Sequence, residues 1–173
     1  MNKIFSKEIG SDIIKLGFYQ VIGGAIGIFL IIWSIYRSVL LSGSTVLVYL
    51  FMLLFFLCSL YCGILCIKLN RTALKYSFIN QCFQIIGFAF FGFAFKYVAG
   101  FYLTFELDLT NSIDFGFGAG VSKLYLSINS EPERIELTFN IVAVAMVLWI
   151  EKLMRKIKTE EEIMKASSIG DQD

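Results

Sequence analysis

The sequence contains no histidine, only one proline, and charged residues at 17% of its 173 positions. Without histidine, His-ligated zinc and haem sites and the commonest general base are excluded. The formal net charge of +1 argues against a nucleic-acid partner. A soluble domain has about 25% charged residues, so the scarcity of charge already distinguishes this chain from that class.

Apolar residues take the place of the missing charges. They make up 57% of the sequence, and the mean hydropathy is +0.74. Soluble domains are about 45–50% apolar, so this composition indicates an integral membrane protein with the lipid bilayer as its first partner. The membrane we expect is a bacterial inner membrane.

Four apolar stretches are candidates for membrane-spanning helices, because about 20 helical residues cross a bilayer core. They cover 16–36, 46–67, 78–95 (extendable to residue 98) and 135–153. The fourth is the weakest, since its uncharged part is only 14 residues long. The first also resembles a signal peptide, but its length of about 21 residues favours a retained span.

Charge asymmetry predicts the orientation of these spans. The segments outside them are, in order, basic, sparsely charged, basic, acidic and basic. Basic segments favour the cytoplasm, which places the N- and C-termini there.

The acidic segment between the third and fourth spans alternates in polarity. Residues 101–110 place Phe and Leu at odd positions and polar residues or Tyr at even ones, as in a strand with one buried face. Residues 113–117 and 123–129 continue the alternation, with turns predicted at Asn111-Ser112 and at 118–120. The pattern predicts a three-stranded antiparallel meander outside the bilayer.

The predicted fold is therefore an all-α membrane protein, a four-transmembrane-helix bundle with a small antiparallel β-meander between helices 3 and 4. Its segments are a cytoplasmic interfacial segment (1–15), transmembrane helices 1–3 (16–98), an extracytoplasmic meander (99–130), transmembrane helix 4 with a cytoplasmic extension (131–165) and a disordered tail (166–173).

Polar side chains within the spans are costly in lipid and are candidates for functional contacts. They are Gln20, Gln81, Gln84, Lys96, Glu136 and Asn140. They indicate either a path for a small solute or hydrogen bonds between helices. All the clear charges lie near span ends, which favours the second interpretation.

Small residues predict where helices touch, because they let backbones approach closely. Gly23 and Gly27 form a GxxxG pattern in the first span, and Ser59 and Gly63 repeat the spacing in the second.

Three cysteines follow a helical stripe in the second span. Cys58, Cys62 and Cys66 are four residues apart, and Cys82 lies near the third span. A redox or soft-metal site is one interpretation. The simpler one, which we favour, is that cysteine serves as a small buried hydrophobe.

The sequence contains no catalytic constellation and no motif for a cofactor or metal. The leading functional hypothesis is a non-enzymatic membrane protein that acts through protein contacts, as an accessory, regulatory or immunity-type subunit, with a protein partner or by self-association. The alternative is an oligomeric channel or small-solute transporter protomer. A polar cavity including Gln84, Lys96 or Asn140 would favour the alternative.

Overall fold

The computed structural model describes residues 6–37, 43–128 and 133–170. Its elements are α1 (Lys7–Arg37), α2 (Gly43–Ile67), α3 (Ala73–Cys82), β1 (Ile86–Phe90), β2 (Phe93–Asp108), β3 (Asp114–Ile128), β4 (Glu136–Asn140) and α4 (Ile141–Gly170). The fold is α+β, with a four-stranded antiparallel sheet. The predicted four-transmembrane-helix bundle is therefore wrong.

Within the described residues, two helices are long and apolar enough to cross a membrane: Lys7–Arg37 and Thr45–Ile67. They pack against each other through small residues. Gly17 and Gly63 face each other so closely that a Cβ on Gly63 would lie 2.7 Å from the Gly17 carbonyl oxygen. Only 28% of the most apolar stretch of each helix is buried inside the protein, so most of its apolar surface faces outward.

The third predicted span is not a helix through the membrane. Its residues form the end of the ten-residue helix α3, then β1 and the start of β2. The chain reverses at Phe91-Gly92, where both residues have positive φ angles of 51° and 78°, as a two-residue hairpin turn of the primed type requires. A strand apolar on both faces has no polarity alternation, and its sequence resembles that of a buried helix.

The fourth predicted span is also wrong, because it is divided between two elements. Residues 136–140 form β4, and α4 begins at Ile141. Asn140 caps that helix, since its side-chain oxygen accepts hydrogen bonds from the amides of Val142 and Ala143 at 3.2 and 3.4 Å. Only ten uncharged residues follow before Glu151. The predicted start of this helix, at residues 131 and 132, lies outside the described residues.

The predicted meander is correct in its first turn and wrong in its second. β2 and β3 are joined around Asn111-Ser112, and the pairing runs from Asp108 with Asp114 to Phe93 with Ile128. The glycines at 118 and 120, predicted to form a turn, lie inside β3. The sheet also has two further strands, β1 and β4, which lie within the predicted third and fourth spans.

The sheet curls until three of its strands form a closed circuit. β1 pairs with the beginning of β2, β4 pairs with the end of β2, and β1 and β4 pair with each other. Among the described residues, β3 pairs with β2 alone. The curl gives the sheet an inner face, which lines a cavity, and an outer face.

A bend in the β2–β3 hairpin fixes the sheet to the helix pair. The register shifts between Val98 and Phe101, and Gly100 and Ser122 have positive φ angles of 109° and 46°. The Ser122 hydroxyl accepts a hydrogen bond from the Gly100 amide at 3.0 Å and donates one to the Gly23 carbonyl of α1 at 2.9 Å. The bend thus lies beside the middle of α1.

Two apolar cores hold the elements together. One joins the N-terminal end of α1 to α3 and α4 through buried side chains, which include Ile13, Leu16, Leu74, Ile150 and Leu153. The other places Tyr97 and Ala99 of β2 against Ile31 and Phe56 of the helix pair. The second core packs against the part of the β2–β3 hairpin on the helix side of the bend, residues 93–99 and 122–128, which we call the near half. The rest of the hairpin, residues 100–121, is the far half and extends beyond this core.

Candidate functional site

A cluster of buried polar side chains lies where α1, α2, α3 and β2 meet. We call Gln20, Ser59, Ser77, Asn80, Gln81 and Gln84 the amide cluster, and all six are at most 4% exposed. Ser77 donates from its hydroxyl to the side-chain oxygen of Gln20 at 3.0 Å. Asn80 donates to the hydroxyl of Ser59 at 3.4 Å, and Ser59 donates to the Gln20 carbonyl at 3.3 Å.

The amide cluster also anchors β2. Gln84 accepts a hydrogen bond from the Ala99 amide at 2.8 Å, which satisfies a backbone group left free at the bend. The Tyr97 hydroxyl donates to the Asn80 side chain at 3.2 Å and to the Phe55 carbonyl at 2.9 Å. These bonds tie the strand to both α3 and α2, so the cluster connects the sheet to the helices.

Some polar atoms of the amide cluster have no hydrogen-bond partner among the described residues. They are the side-chain nitrogen of Gln20 and both the nitrogen and the oxygen of Gln81, which is fully buried. An unpaired buried polar group costs about 1–3 kcal/mol. The two glutamines are therefore the polar residues of the cluster with hydrogen-bonding capacity to spare.

The inner face of the curled sheet carries charge. A cavity of about 190 Å³ lies against this face, and we call it the charged cavity. The charged side chains in its walls are Lys96, Glu106, Lys123, Arg134 and Glu136. Lys96, only 8% exposed, forms an ion pair with Glu106. The guanidinium of Arg134 donates two hydrogen bonds to one oxygen of Glu136, at 2.5 and 3.1 Å.

Glu106 is held in its ionised form by these neighbours. Desolvation by burial raises its pKa. Hydrogen bonds from Lys96 and Thr104 and the positive charges of Lys96 and Lys123 together lower the pKa by more than desolvation raises it. The pKa of Glu106 is therefore below its usual value. The Thr104 hydroxyl donates to Glu106 at 3.0 Å, and Gly118 on β3 leaves the space that both side chains occupy, since a Cβ there would lie 2.7 Å from the Thr104 hydroxyl.

The outer face of the far half of the sheet is apolar and exposed. We call Phe101, Leu103, Phe105, Phe115 and Phe117 the outer aromatic face. Phe115 and Phe117 are 66% and 77% exposed, and both rings contact Phe105 at centroid distances of 5.7 and 5.6 Å. Charges inside and aromatic rings outside reverse the arrangement of a soluble protein and match that of lipid-facing sheets.

The structure places the six predicted polar residues in three locations. Gln20, Gln81 and Gln84 belong to the amide cluster. Lys96 and Glu136 lie in the charged cavity, where Lys96 pairs with Glu106 and Glu136 pairs with Arg134. Asn140, at the inner face, caps α4.

The four predicted helix-packing residues lie at two different contacts. Gly27 lies against the ring of Phe56, Gly63 against α1, and Ser59 bonds to the Gln20 carbonyl, so these three are at the α1–α2 contact. Gly23 instead faces the sheet, where a Cβ would be 2.4 Å from the Gly100 amide nitrogen. One half of the GxxxG pattern therefore serves the sheet.

Sequence reasoning missed several residues of these sites. Ser77, Asn80 and Tyr97 belong to or bond with the amide cluster, and Lys123 and Arg134 line the charged cavity. A signal existed for α3, because Ser77, Gln81 and Gln84 share one helical face with Asn80 beside it. No signal in the sequence points to Arg134, which reaches the cavity from outside any element.

The cysteines are all free thiols, and Cys66 lies 3.2 Å from the Ser77 hydroxyl. In the part of the chain that the structure describes, no group of three or more Cys, Asp or Glu side chains could hold a metal ion.

No protein-family model, curated protein or solved structure matches this chain.

Proposed function

We propose that the protein is a non-enzymatic integral membrane protein that acts through protein contacts made by the outer aromatic face. In this proposal α1 and α2 span a bacterial inner membrane. The curled sheet lies beside them at bilayer depth and presents its aromatic side chains to a partner. Its roles as an accessory, regulatory or immunity-type subunit are all compatible with such a surface.

Contacts between the sheet and α1 support placing the sheet at bilayer depth. Ser122 bonds to Gly23, and the Tyr19 hydroxyl donates to the Phe101 carbonyl at 3.0 Å. Gly23 and Tyr19 both lie in the uncharged stretch 16–36 of α1. Any bilayer that covers this stretch also surrounds the bend of the sheet.

Ion pairs and charge support a cytoplasmic location for both ends of the chain. Lys156 of α4 lies 3.3 Å from Glu8 at the start of α1, so the two helices meet on one side of the molecule. Lys152 and Arg155 lie on the same part of α4. A basic cluster at that end follows the rule that positive charge stays in the cytoplasm.

The inverted polarity of the sheet is the single observation that carries the proposal. Its ion pairs lie on the inner face of the curl, with side chains 10–38% exposed, and its aromatic rings face outward. Soluble proteins rarely leave large contiguous apolar patches exposed, and such patches mark membrane or protein contact sites. Because α1 and α2 already supply the membrane anchor, a second apolar surface of this kind points to a protein contact.

Photocrosslinking in native membranes tests this proposal. A photoreactive phenylalanine analogue at Phe117 is expected to give discrete protein adducts, in membranes from which alkaline carbonate does not extract the protein. The matched control is the same analogue at Phe29, an exposed position on α1, which is expected to give lipid adducts only. Lipid adducts alone at Phe117 would contradict the contact, and extraction by carbonate would contradict the membrane location.

A second candidate is a protomer of a small-solute channel or transporter. It is favoured by the spare hydrogen-bonding capacity of Gln20 and Gln81 and by the charged cavity, which includes Lys96. Flux of small solutes into liposomes that contain the purified protein tests it, with Gln81→Leu as the variant that removes the unpaired amide. Flux that this variant abolishes would support transport over contact, and absence of flux would leave the first proposal alone.

A further inference from the structure

β3 carries the long open edge of the sheet. β1 and β4 each have strand neighbours on both sides, and β2 is paired along most of its length. β3 spans fifteen residues, Asp114–Ile128, and pairs only with β2 in the described part of the chain. A row of backbone amides and carbonyls therefore faces away from the sheet.

Over residues 114–121, before the bend at Ser122, this edge lacks the usual features that prevent strands from joining. Natural edges carry several charges, prolines or bulges, or are kept short. β3 has one acid and one base, Asp114 and Lys123, and no proline. On its outer face the rings of Phe115 and Phe117 are mostly exposed. The backbone amides and carbonyls of such an edge can therefore form hydrogen bonds with another strand.

The position of β3 makes that pairing more necessary. Ser122 of this strand is hydrogen-bonded to Gly23 in the apolar stretch of α1. In the hydrocarbon core no water is present to bond with free backbone groups, so open sheet edges do not occur there. With the sheet at bilayer depth, as in the proposed function on which this inference rests, the edge requires a strand.

We propose that β3 pairs antiparallel with β3 of a second copy of this chain, about a two-fold axis through Gly118. In this register Phe117 lies opposite Ala119 of the other copy, and Phe115 lies opposite Val121. Each large ring therefore faces a smaller side chain. On the inner face Gly116 lies opposite Gly120.

Charge complementarity favours a second copy over an unrelated strand. The same register places Asp114 opposite Ser122 of the other copy, and therefore next to its Lys123. The two-fold axis repeats this pairing of opposite charges at both ends of the contact. The result is one eight-stranded sheet with a continuous apolar outer face.

Disulfide trapping tests the register directly. In a variant lacking Cys58, Cys62, Cys66 and Cys82, two differently tagged versions carry Phe117→Cys and Ala119→Cys and are expressed together. Opposed residues in antiparallel strands have Cα atoms about 4.5–5.5 Å apart, within the reach of a disulfide. Oxidation is expected to yield a dimer that carries both tags, and the pair Phe115→Cys with Val121→Cys is expected to do the same.

Leu103→Cys is the matched control, since Leu103 is on the same exposed face but on β2. In the dimer, two copies of β2 are separated by both β3 strands, about 14 Å in total. We expect roughly tenfold less crosslinking at this position than at the opposed pair, because a disulfide cannot span that distance.

Counting copies of the fluorescently labelled chain, without the cysteine substitutions, completes the test. Fluorophore bleaching in nanodiscs drawn from native membranes is expected to show two steps. One step together with no crosslink at either opposed pair would overturn the inference. A crosslink from Phe117 to a different protein, with one bleaching step, would overturn the second copy and leave the proposed function standing. Lipid adducts alone at Phe117 would overturn both.

Discussion

The two halves of the β2–β3 hairpin have the same alternation of side chains and opposite surroundings. In the near half, Tyr97 is 1% exposed because α1 and α2 cover it. In the far half, Phe117 is 77% exposed, although it lies on the same outer face of the same hairpin. In the near half the aromatic outer face is covered by helices. In the far half the outer face is also aromatic, but no element among the described residues covers Phe117.

Alternation in a strand thus reports which face is apolar and not what covers it. Against the helix pair Tyr97 is buried and Phe95 is half-buried, whereas Phe105 of the far half contacts the mostly exposed rings of Phe115 and Phe117. Burial of a large apolar side chain stabilises by about 1.5–3 kcal/mol. We expect the far half to gain that stabilisation from lipid or from a partner.

The largest expected difference in stability is between two single variants, one that truncates a ring in the near half and one that truncates a ring in the far half. Tyr97→Ala is expected to cost about 3–5 kcal/mol in the free energy of unfolding, as for other large buried aromatic residues, since it also removes the bonds to Phe55 and Asn80. Phe117→Ala in the single, detergent-solubilised chain is expected to change it by less than about 0.5 kcal/mol. Chemical unfolding in mild detergent measures both. Similar losses for the two variants would show that the far half is covered within the chain.

Gly23→Ala should break the attachment of the sheet to α1 with a smaller effect. The new Cβ would meet the Gly100 backbone, and overpacking of this kind costs about 1–3 kcal/mol. The thermal midpoint in detergent is the measurement. The control is Gly10→Ala, whose Cβ would have its nearest neighbours at 3.9 Å, and we expect it to raise stability by up to about 1 kcal/mol. Equal effects of the two changes would contradict the close contact at Gly23.

Glu106→Gln removes the charge of the carboxylate that pairs with Lys96 on the inner face. Because Glu106 is partly solvated, we expect a loss of about 1 kcal/mol at neutral pH. Its lowered pKa means that the native carboxylate contributes stability above the usual pKa of glutamate and loses it as pH falls through the lower native value. The difference between wild type and variant should therefore shrink on acidification. A difference in thermal midpoint that stays constant below the usual pKa of glutamate would exclude Glu106 as its source.

The sequence predicted the elements whose pattern is local. The uncharged stretches of α1 and α2 are long enough to identify two long apolar helices, and the odd-even alternation of 101–110 identified the far half of β2. The turn at Asn111-Ser112 followed from ordinary turn residues. These features depend on residues that are neighbours along the chain.

The remaining features depend on residues that are distant along the chain. Apart from Lys96, residues 86–98 are apolar or glycine on both faces of the sheet, so their run resembles a span. The reversal at Phe91-Gly92 has phenylalanine where Asn or Asp usually stands, so no turn was predicted there. Asn140 was interpreted as a polar group in a span because its role as a helix cap depends on β4 ending there.

The closed circuit of strands also imposes an order in time. β4 lies between β1 and the end of β2, yet 45 residues separate Phe90 from Glu136. At about 5–20 residues per second, synthesis of that interval takes roughly 2–9 seconds. During those seconds β1 has only the beginning of β2 as a neighbour. The strand that completes the sheet arrives directly before α4, so assembly of the sheet and docking of the last helix occur as one late event.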